Sequence, residues 1–193
     1  LPSKYMKKNI VTSGQKFTDI DVLSCAVAYS ELLLLEGKES EVVLPGAFNA
    51  SITQVIKDWE ILYATKPTSD DVEYTIVDVS NPEYIADFVT EEDIVKVFDH
   101  HVGFENYWLQ RIGDNAHIEF IGACATLIWE EYKKRGQAEN ISMLSGNLLS
   151  VGILSNTLNF GAQITHQRDA DAFRELQALH PLSEDWIAQY FQD

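Results

Sequence analysis

The stretch Val95-Lys96-Val97-Phe98-Asp99-His100-His101 constrains this chain more than any other. Its apolar, β-branched run reads as a buried strand of a parallel sheet, closed by the turn signal Val102-Gly103. Such a strand needs cover on both faces, and parallel neighbours are reached through crossover helices. Asp99, His100 and His101 stand at its carboxyl end, where an open α/β sheet binds its ligands. All three are metal-ligand types. Taken alone, the two histidines can also be read as polar residues capping a strand, the lesser of the two readings, and the other positions decide.

The remaining pattern agrees with a layered α/β chain. Strands are expected at 8–13, 41–44, 60–64, 73–79 and 94–99. Helices are expected at 21–36, 50–59, 123–135, 142–158, 166–179 and 183–191, with Thr165 capping the helix that begins at His166. Between them, 104–122 reads as a loop rich in polar and aromatic residues, and Ser80-Asn81-Pro82 opens a short helix. Strands alternate with helices for the first hundred residues and helices dominate thereafter. That order predicts an α/β fold, a mostly parallel sheet with helices on both faces in a Rossmann-like three-layer arrangement. No repeat or low-complexity linker interrupts it. One domain is expected over 1–180, with 181–193 as a C-terminal helix or the start of a linker.

Composition narrows the partners. The formal charge of −16 over 193 residues would repel a naked polyanion. A phosphate compound could approach only if divalent cations or another domain supplied positive charge. No apolar stretch nears the roughly 20 residues of a membrane helix, and Lys7-Lys8 precedes too short an apolar run for a signal peptide. Cys25 and Cys124 suggest neither a disulfide framework nor a zinc knuckle. A cytoplasmic location, with no membrane partner, is the expectation.

Two further sets carry chemistry. Gly14-Gln15-Lys16-Phe17-Thr18-Asp19-Ile20-Asp21 links the first strand to its helix, and its two acids are spaced to reach one cleft. Alone, Thr18 or Asp19 would read as an N-cap. Asp78 follows Thr75-Ile76-Val77, and burial there is costly unless the carboxylate is paired or metal-bound. All these groups fall at carboxyl ends of strands, which share one edge in a parallel sheet. Carboxylates gathered so closely repel one another, and divalent cations are the simplest means of holding them ionised. Mixed Asp/His ligation suits manganese, iron or zinc. Two metals bridged by one carboxylate would clamp a phosphoryl group and activate water.

In order, Asp19-x-Asp21, Asp78 and Asp99-His100-His101 resemble the motifs of the DHH phosphoesterase superfamily, in particular the N-terminal domain of manganese-dependent (family II) inorganic pyrophosphatases and their exopolyphosphatase relatives. Gly122-Ala123-Cys124-Ala125-Thr126-Leu127-Ile128 resembles the helix start after the family's triplet. Ser155-Asn156-Thr157 resembles its Ser-Asp-Thr segment, and Thr165 with Asp169 its next turn. The resemblance covers essentially the whole chain. It implies a cytoplasmic hydrolase with a two-manganese site, magnesium or cobalt being substitutes. Asp19 and Asp78 would hold one metal, and Asp21, Asp78 and His100 the other, with Asp78 as the bridge. His101 would bind substrate phosphate or the leaving group as a catalytic residue, and Asp99 would orient the triplet.

Gln15 stands where the family has a histidine ligand, and Asn156 where it has a late aspartate. An amide oxygen coordinates more weakly than a carboxylate, so one metal is expected to bind loosely. Whole family members continue into a smaller domain whose Arg and Lys residues bind phosphate, and this chain ends near the expected linker. Lys16, Arg111 and Arg168 are its scattered cations, and His117 and His166 could approach the same loop face. The first expectation is a phosphoanhydride hydrolase acting on pyrophosphate or short polyphosphate. A degenerate domain that binds a nucleotide or phosphate ligand for regulation is the second. An oligonucleotide phosphodiesterase is the third, nucleic acid being otherwise an unlikely partner. Relatives also dimerise through this domain, so a homodimer is compatible with the resemblance.

Overall fold

The computed structural model describes residues 6–193, and the first five positions of the expected domain lie outside the described residues. Strands β1 (Lys8–Thr12), β3 (Ser40–Val42), β5 (Val72–Val77), β6 (Ile94–Asp99) and β7 (Ala116–Ile118) form one sheet in the order β3-β1-β5-β6-β7. Every neighbouring pair is parallel, as the buried runs require. Two short strands, β2 (Phe17–Thr18) and β4 (Ala47–Phe48), pair separately beside it. The strand order reverses between β1 and β5, so the crevice at their carboxyl ends is the topological switch point.

Seven α-helices are described: α1 (Ile20–Leu35), α2 (Gln54–Lys57), α3 (Glu105–Ile112), α4 (Cys124–Lys134), α5 (Met143–Asn156), α6 (Gln167–Leu179) and α7 (Glu184–Gln192). The Asp19 carboxylate caps α1 by accepting from Val22 N at 2.8 Å, and Gly37 takes the positive φ of 80° that ends the turn after it. On one face of the sheet, α1 and α4 pack over Val11, Val77 and Phe98, with α5 lying behind them. Gly152 makes that third layer possible. A Cβ there would meet Ala125 Cβ and Ser24 Oγ at 3.2 Å, and Ser24 Oγ lies within 2.6 Å of both Ile20 O and Leu148 O. The other face is covered more thinly, by Trp108 of α3 and by Ile85 and Phe88 of the segment after β5. Helix α7 returns to the main core through Trp186 stacked on Trp59 and Tyr190 Oη donating to Ser51 O at 2.8 Å.

Several local expectations need correction. The helix expected at 50–59 is a single turn, α2. Asn49 Oδ1 accepts from both Ser51 N and Ser51 Oγ, giving the backbone a local turn that competes with helix. The strand expected at 60–64 reduces to one bridge between Val43 and Ala64, and Leu62 is 90% exposed rather than facing a core. The stretch 104–122 is not a loop, since it holds α3 and β7. Helix α3 has no side-chain cap and buries only Trp108, and β7 is a three-residue edge strand, so neither carries a strong sequence signal. Helix α6 is capped by His166 and not Thr165. A capping box joins His166 to Asp169, the His166 ring accepting from Arg168 N while Asp169 Oδ2 accepts from His166 N.

Asp169 also fastens α6 to α4. It is fully buried and accepts from Gly122 N at 2.9 Å and Thr126 Oγ1 at 2.7 Å. A Cβ at Gly122 would lie 2.4 Å from Asp169 Oδ2. Gly122→Ala is therefore expected to destabilise the fold by about 3 kcal/mol, lowering the melting temperature by roughly 6–12 °C. A melting temperature within about 2 °C of the parent would show that the Asp169 clamp yields freely.

Candidate metal centre

Three loops meet at the switch point. Residues 13–19 follow β1, Asp78 follows β5, and His100 and His101 follow β6. Ser13 Oγ donates to Val77 O at 2.6 Å and binds the first two loops together. Asp78 adopts φ 59°, a left-handed conformation that Asp tolerates better than most side chains, with its N–H bonded to Phe98 O at 2.8 Å. The strained turn aims its carboxylate across the strand ends.

Ligand atoms of Asp78, His100 and His101 lie within 4.8 Å of one another. His100 Nδ1 is 2.9 Å from Ile121 O, which fixes the proton there and leaves Nε2 as the ring's lone-pair donor. That Nε2 is 3.2 Å from Asp78 Oδ1 and 3.7 Å from Asp21 Oδ2. Asp78 Oδ1 is buried and has no hydrogen-bond partner among the described residues. Asp99 Oδ1 accepts from His100 N at 2.8 Å and lies 2.7 Å from His101 Nδ1, so one buried carboxylate orients both histidines.

The structure separates the two acids of the first loop. Asp19 lines the cleft with Asp78 and His101 while also capping α1. Asp21 instead points inward. It is fully buried, with Oδ2 accepting from Cys124 N at 2.9 Å and Asn156 Nδ2 at 2.6 Å, and Oδ1 accepting from Ala125 N at 2.9 Å and Cys25 Sγ at 3.6 Å. This carboxylate sits on the amino terminus of α4, where backbone N–H groups and the helix dipole favour negative charge. Asn156 thus turns its amide N–H₂ toward Asp21. Gln15 lines the cleft, but its Oε1 accepts from Asp87 N at 2.8 Å.

The cleft has a volume of about 640 Å³, within the usual range for small-molecule sites. Lys16, Asn49, Tyr84 and Asp87 join its wall from separate loops, which no local motif in the sequence could reveal. Phe17 and Tyr84 stand 69% and 61% exposed. Of the scattered cations only Lys16 lies here. Arg111 pairs with Glu91 at 2.8 Å, and Arg168 with Glu119 at 3.0 Å and with Glu130. His117 stacks on Phe98 and His166 caps α6, so neither joins the cleft. Cys25 and Cys124 are free, buried thiols.

The acids strain one another. Burial, and then the charges of Asp21, Asp19 and Asp99, push the Asp78 carboxyl well above the usual carboxylate range. Burial pushes Asp21 up to about 6 against the opposing pull of His100. For His100, burial lowers the pKa, but Asp21 and the other neighbours outweigh it and the net shift is upward. All three groups therefore favour the protonated form in the metal-free fold. Their stabilising effect is present at low pH and is lost as pH rises, for Asp21 from 3.8 through about 6, and for His100 on passing above the ordinary histidine range. Asp21 alone corresponds to about 3 kcal/mol. Urea midpoints in chelator should thus fall between pH 5 and pH 8, and an equal or higher midpoint at pH 8 would contradict these environments.

The parallel sheet and the Asp and His side chains at its switch point define an α/β domain with a candidate metal centre at the carboxyl ends of its strands. More particularly, the chain is similar to manganese-dependent inorganic pyrophosphatases. The enzyme so named from Methanothrix thermoacetophila is 26% identical over 183 residues, 90% of this chain and 55% of that protein. The cyclic-di-AMP phosphodiesterase GdpP of Bacillus subtilis is 24% identical over 185 residues, 88% of this chain and 28% of that one. An exopolyphosphatase-related protein from Bacteroides fragilis shares the fold with a TM-score of 0.75 at 17% identity, covering 97% of this chain and 56% of the other. The chain spans about half the length of the pyrophosphatases it matches. No family model matches it. Among the described residues no helix is long and apolar enough to cross a membrane.

Proposed function

We propose that this chain carries the metal centre of a divalent-metal-dependent phosphohydrolase, with manganese as the cation and a phosphoanhydride as the substrate. The observation that carries the reading is the unpartnered Asp78 Oδ1, facing His100 Nε2 at 3.2 Å inside a cluster of mutually repelling acids. A buried carboxylate oxygen with no hydrogen-bond partner among the described residues, beside a tautomer-fixed imidazole, fits a divalent cation. Asp78 and His100 would hold it, with Asp19 and His101 at the same cleft and Asp99 orienting the histidines. When bound, the cation supplies Lewis-acid polarisation of the phosphoryl group and activation of water. The exposed His101 ring, steadied by Asp99, would meet substrate phosphate or a leaving oxygen, and Lys16 would offer positive charge at the rim.

A second metal has weaker support. Asp21 already accepts from four donors, and Gln15 and Asn156 are bonded elsewhere. Asn156→Asp would replace an amide donor with a carboxylate beside Asp21 and His100. It is expected to add a second manganese equivalent and to raise phosphate release from pyrophosphate about tenfold or more.

One observation favours a different substrate, a nucleotide phosphodiester. The cleft is flanked by exposed aromatic side chains, Phe17 and Tyr84, suited to stacking on a base. Product release from pyrophosphate, tripolyphosphate and a short oligonucleotide, measured with manganese, separates the two. Turnover of either phosphoanhydride supports the first reading, and turnover of the oligonucleotide alone supports the second. No turnover of any of them by the parent or by Asn156→Asp would leave this chain a binding domain.

A further inference from the structure

At the end of the sheet opposite the metal centre, the face covered by α1 and α4 changes character. Nearer the centre, Val11, Val77 and Phe98 fill it with core. Below them the same face carries Asn9, Glu73, Thr75 and Lys96, which the registers Asn9↔Glu73 and Thr75↔Lys96 place side by side on three adjacent strands. The helix ends above do not close on this surface. They leave a cavity of about 900 Å³ between the strands and the last turns of α1 and α4.

The lining is unusual for so acidic a chain. Lys7, Lys38, Lys96, Lys134 and Arg135, out of 14 lysines and arginines in the sequence, line this one cavity beside Glu36, Glu73, Asp114 and Glu131. Some of that charge is matched locally, Arg135 by Glu36 at 2.8 Å and Glu131 at 2.9 Å, and Lys38 by Glu36 at 3.9 Å. Lys96 and Lys134 have no ion-pair partner among the described residues. Two side chains lining the same space are buried and polar, yet unsatisfied. Thr75 is 0% exposed and Asn9 4%; Asn9 Nδ2 donates to Glu73 Oε1 at 3.2 Å, but neither Thr75 Oγ1 nor Asn9 Oδ1 has a hydrogen-bond partner among the described residues. Buried hydroxyls and amides are normally paired, so a wall with two unpaired groups and two unmatched ammonium groups is poorly arranged for stability. It is well arranged for a ligand that brings negative charge and hydrogen-bonding oxygens.

We propose that this cavity is a second ligand site, taking a small organic anion, a phosphate monoester or a polycarboxylate, at the pole of the sheet away from the metal centre. Lys96 stands on the floor and Lys134 at the end of α4, and the buried Thr75 hydroxyl lies beneath them. Other cations crowd Lys96. Burial, then the nearby charges of Arg135, Lys38 and Lys134, lower the Lys96 pKa against the pull of Glu131. An arriving anion relieves that repulsion. Along β5 and β6, Thr75 and Lys96 stand three and four residues before Asp78 and His100, about 10–13 Å, with the core side chains Val77 and Phe98 between the two sites.

The test is calorimetric titration of the full chain, freed of metal and dialysed clear of chelator, with AMP as the phosphate monoester and citrate as the polycarboxylate. Saturable binding of at least one is expected, with Kd below about 1 mM. Lys96→Met should weaken it about tenfold or more, whereas Asp78→Asn at the far pole should leave it unchanged. Lys134→Met, on an exposed helix end, serves the same purpose if Lys96→Met fails to fold. Preference for AMP or for citrate identifies the anion class. Absence of saturable binding by both probes overturns the proposal. So does binding that survives both lysine substitutions, or that disappears in Asp78→Asn.

Discussion

Asp78→Asn is expected to make the metal-free chain more heat-stable at pH 8 while abolishing the stabilisation that manganese gives the parent. Two opposite consequences follow from one atom. Asparagine accepts the φ of 59° as readily as aspartate, so the turn after β5 is preserved. It also removes a carboxyl whose ionisation is opposed by burial and by Asp21, Asp19 and Asp99, and whose Oδ1 has no hydrogen-bond partner among the described residues. Relief of that repulsion is worth about 1–3 kcal/mol at a pH where the carboxyl would otherwise be ionised. The same change removes the anionic ligand facing His100, which should weaken manganese binding more than about 100-fold. At a hundredfold excess over Kd the cation would stabilise the parent by about 2.7 kcal/mol, and the variant by almost nothing. Melting curves with and without manganese read both effects. A variant that loses stability in chelator, or that keeps the manganese shift, would show that Asp78 does not serve as the centre's anionic ligand.

The second large effect concerns Asp21, whose work in this structure is architectural. Asp21→Ala strips acceptors from Cys124 N, Ala125 N and Asn156 Nδ2, groups that tie the start of α1 to the start of α4 and the end of α5. Three donors left without partners at about 1–2 kcal/mol each amount to roughly 3–6 kcal/mol. The loss should depend on pH. Near pH 5 the carboxyl, raised to about 6, is largely protonated, and its removal relieves little repulsion. At pH 8 removal also relieves a disfavoured charge, returning about 3 kcal/mol. Chemical denaturation should therefore show a deficit in Asp21→Ala that shrinks from pH 5 to pH 8. A deficit below about 1 kcal/mol at pH 5 would mean that the helix ends find other acceptors.

These two acids show what was legible in the sequence and what was not. The strands at 8–13, 73–79 and 94–99 are visible because apolar runs ended by polar residues have few other homes. Their parallel pairing brings Asp19, Asp78, His100 and His101 to one edge, as the strand-end argument expected. The spacing of two between Asp19 and Asp21 suggested a shared cleft. In the fold the helix begins between them, and residues two apart on a helix point to different sides. Asp19 stays at the cap and faces the cleft, while Asp21 turns beneath it onto α4. Gln15 and Asn156 were legible as departures from a family pattern, but their partners were not. Asp87 N and Asp21 Oδ2 lie 72 and 135 residues away. Tertiary reach of that kind leaves no local trace. Neither does the uncapped α3, nor the Asn49 side-chain bonds that shorten α2.

The cavity between the strands and the far ends of α1 and α4 has the same logic as the metal centre. In both, buried polar atoms lack hydrogen-bond partners among the described residues, Asp78 Oδ1 in one and Thr75 Oγ1 and Asn9 Oδ1 in the other. Unpaired groups of this kind lower stability and persist where something else completes them.

The central claim is that Asp78 and His100 form a divalent-metal site, and manganese titration of the full chain by calorimetry near pH 7.5 tests it most directly. The account predicts saturable binding of at least one manganese, with protons released as His100 and the acid cluster give them up, and with the heat lost in Asp78→Asn. No saturable binding in the parent, or equal binding in Asp78→Asn, would contradict it.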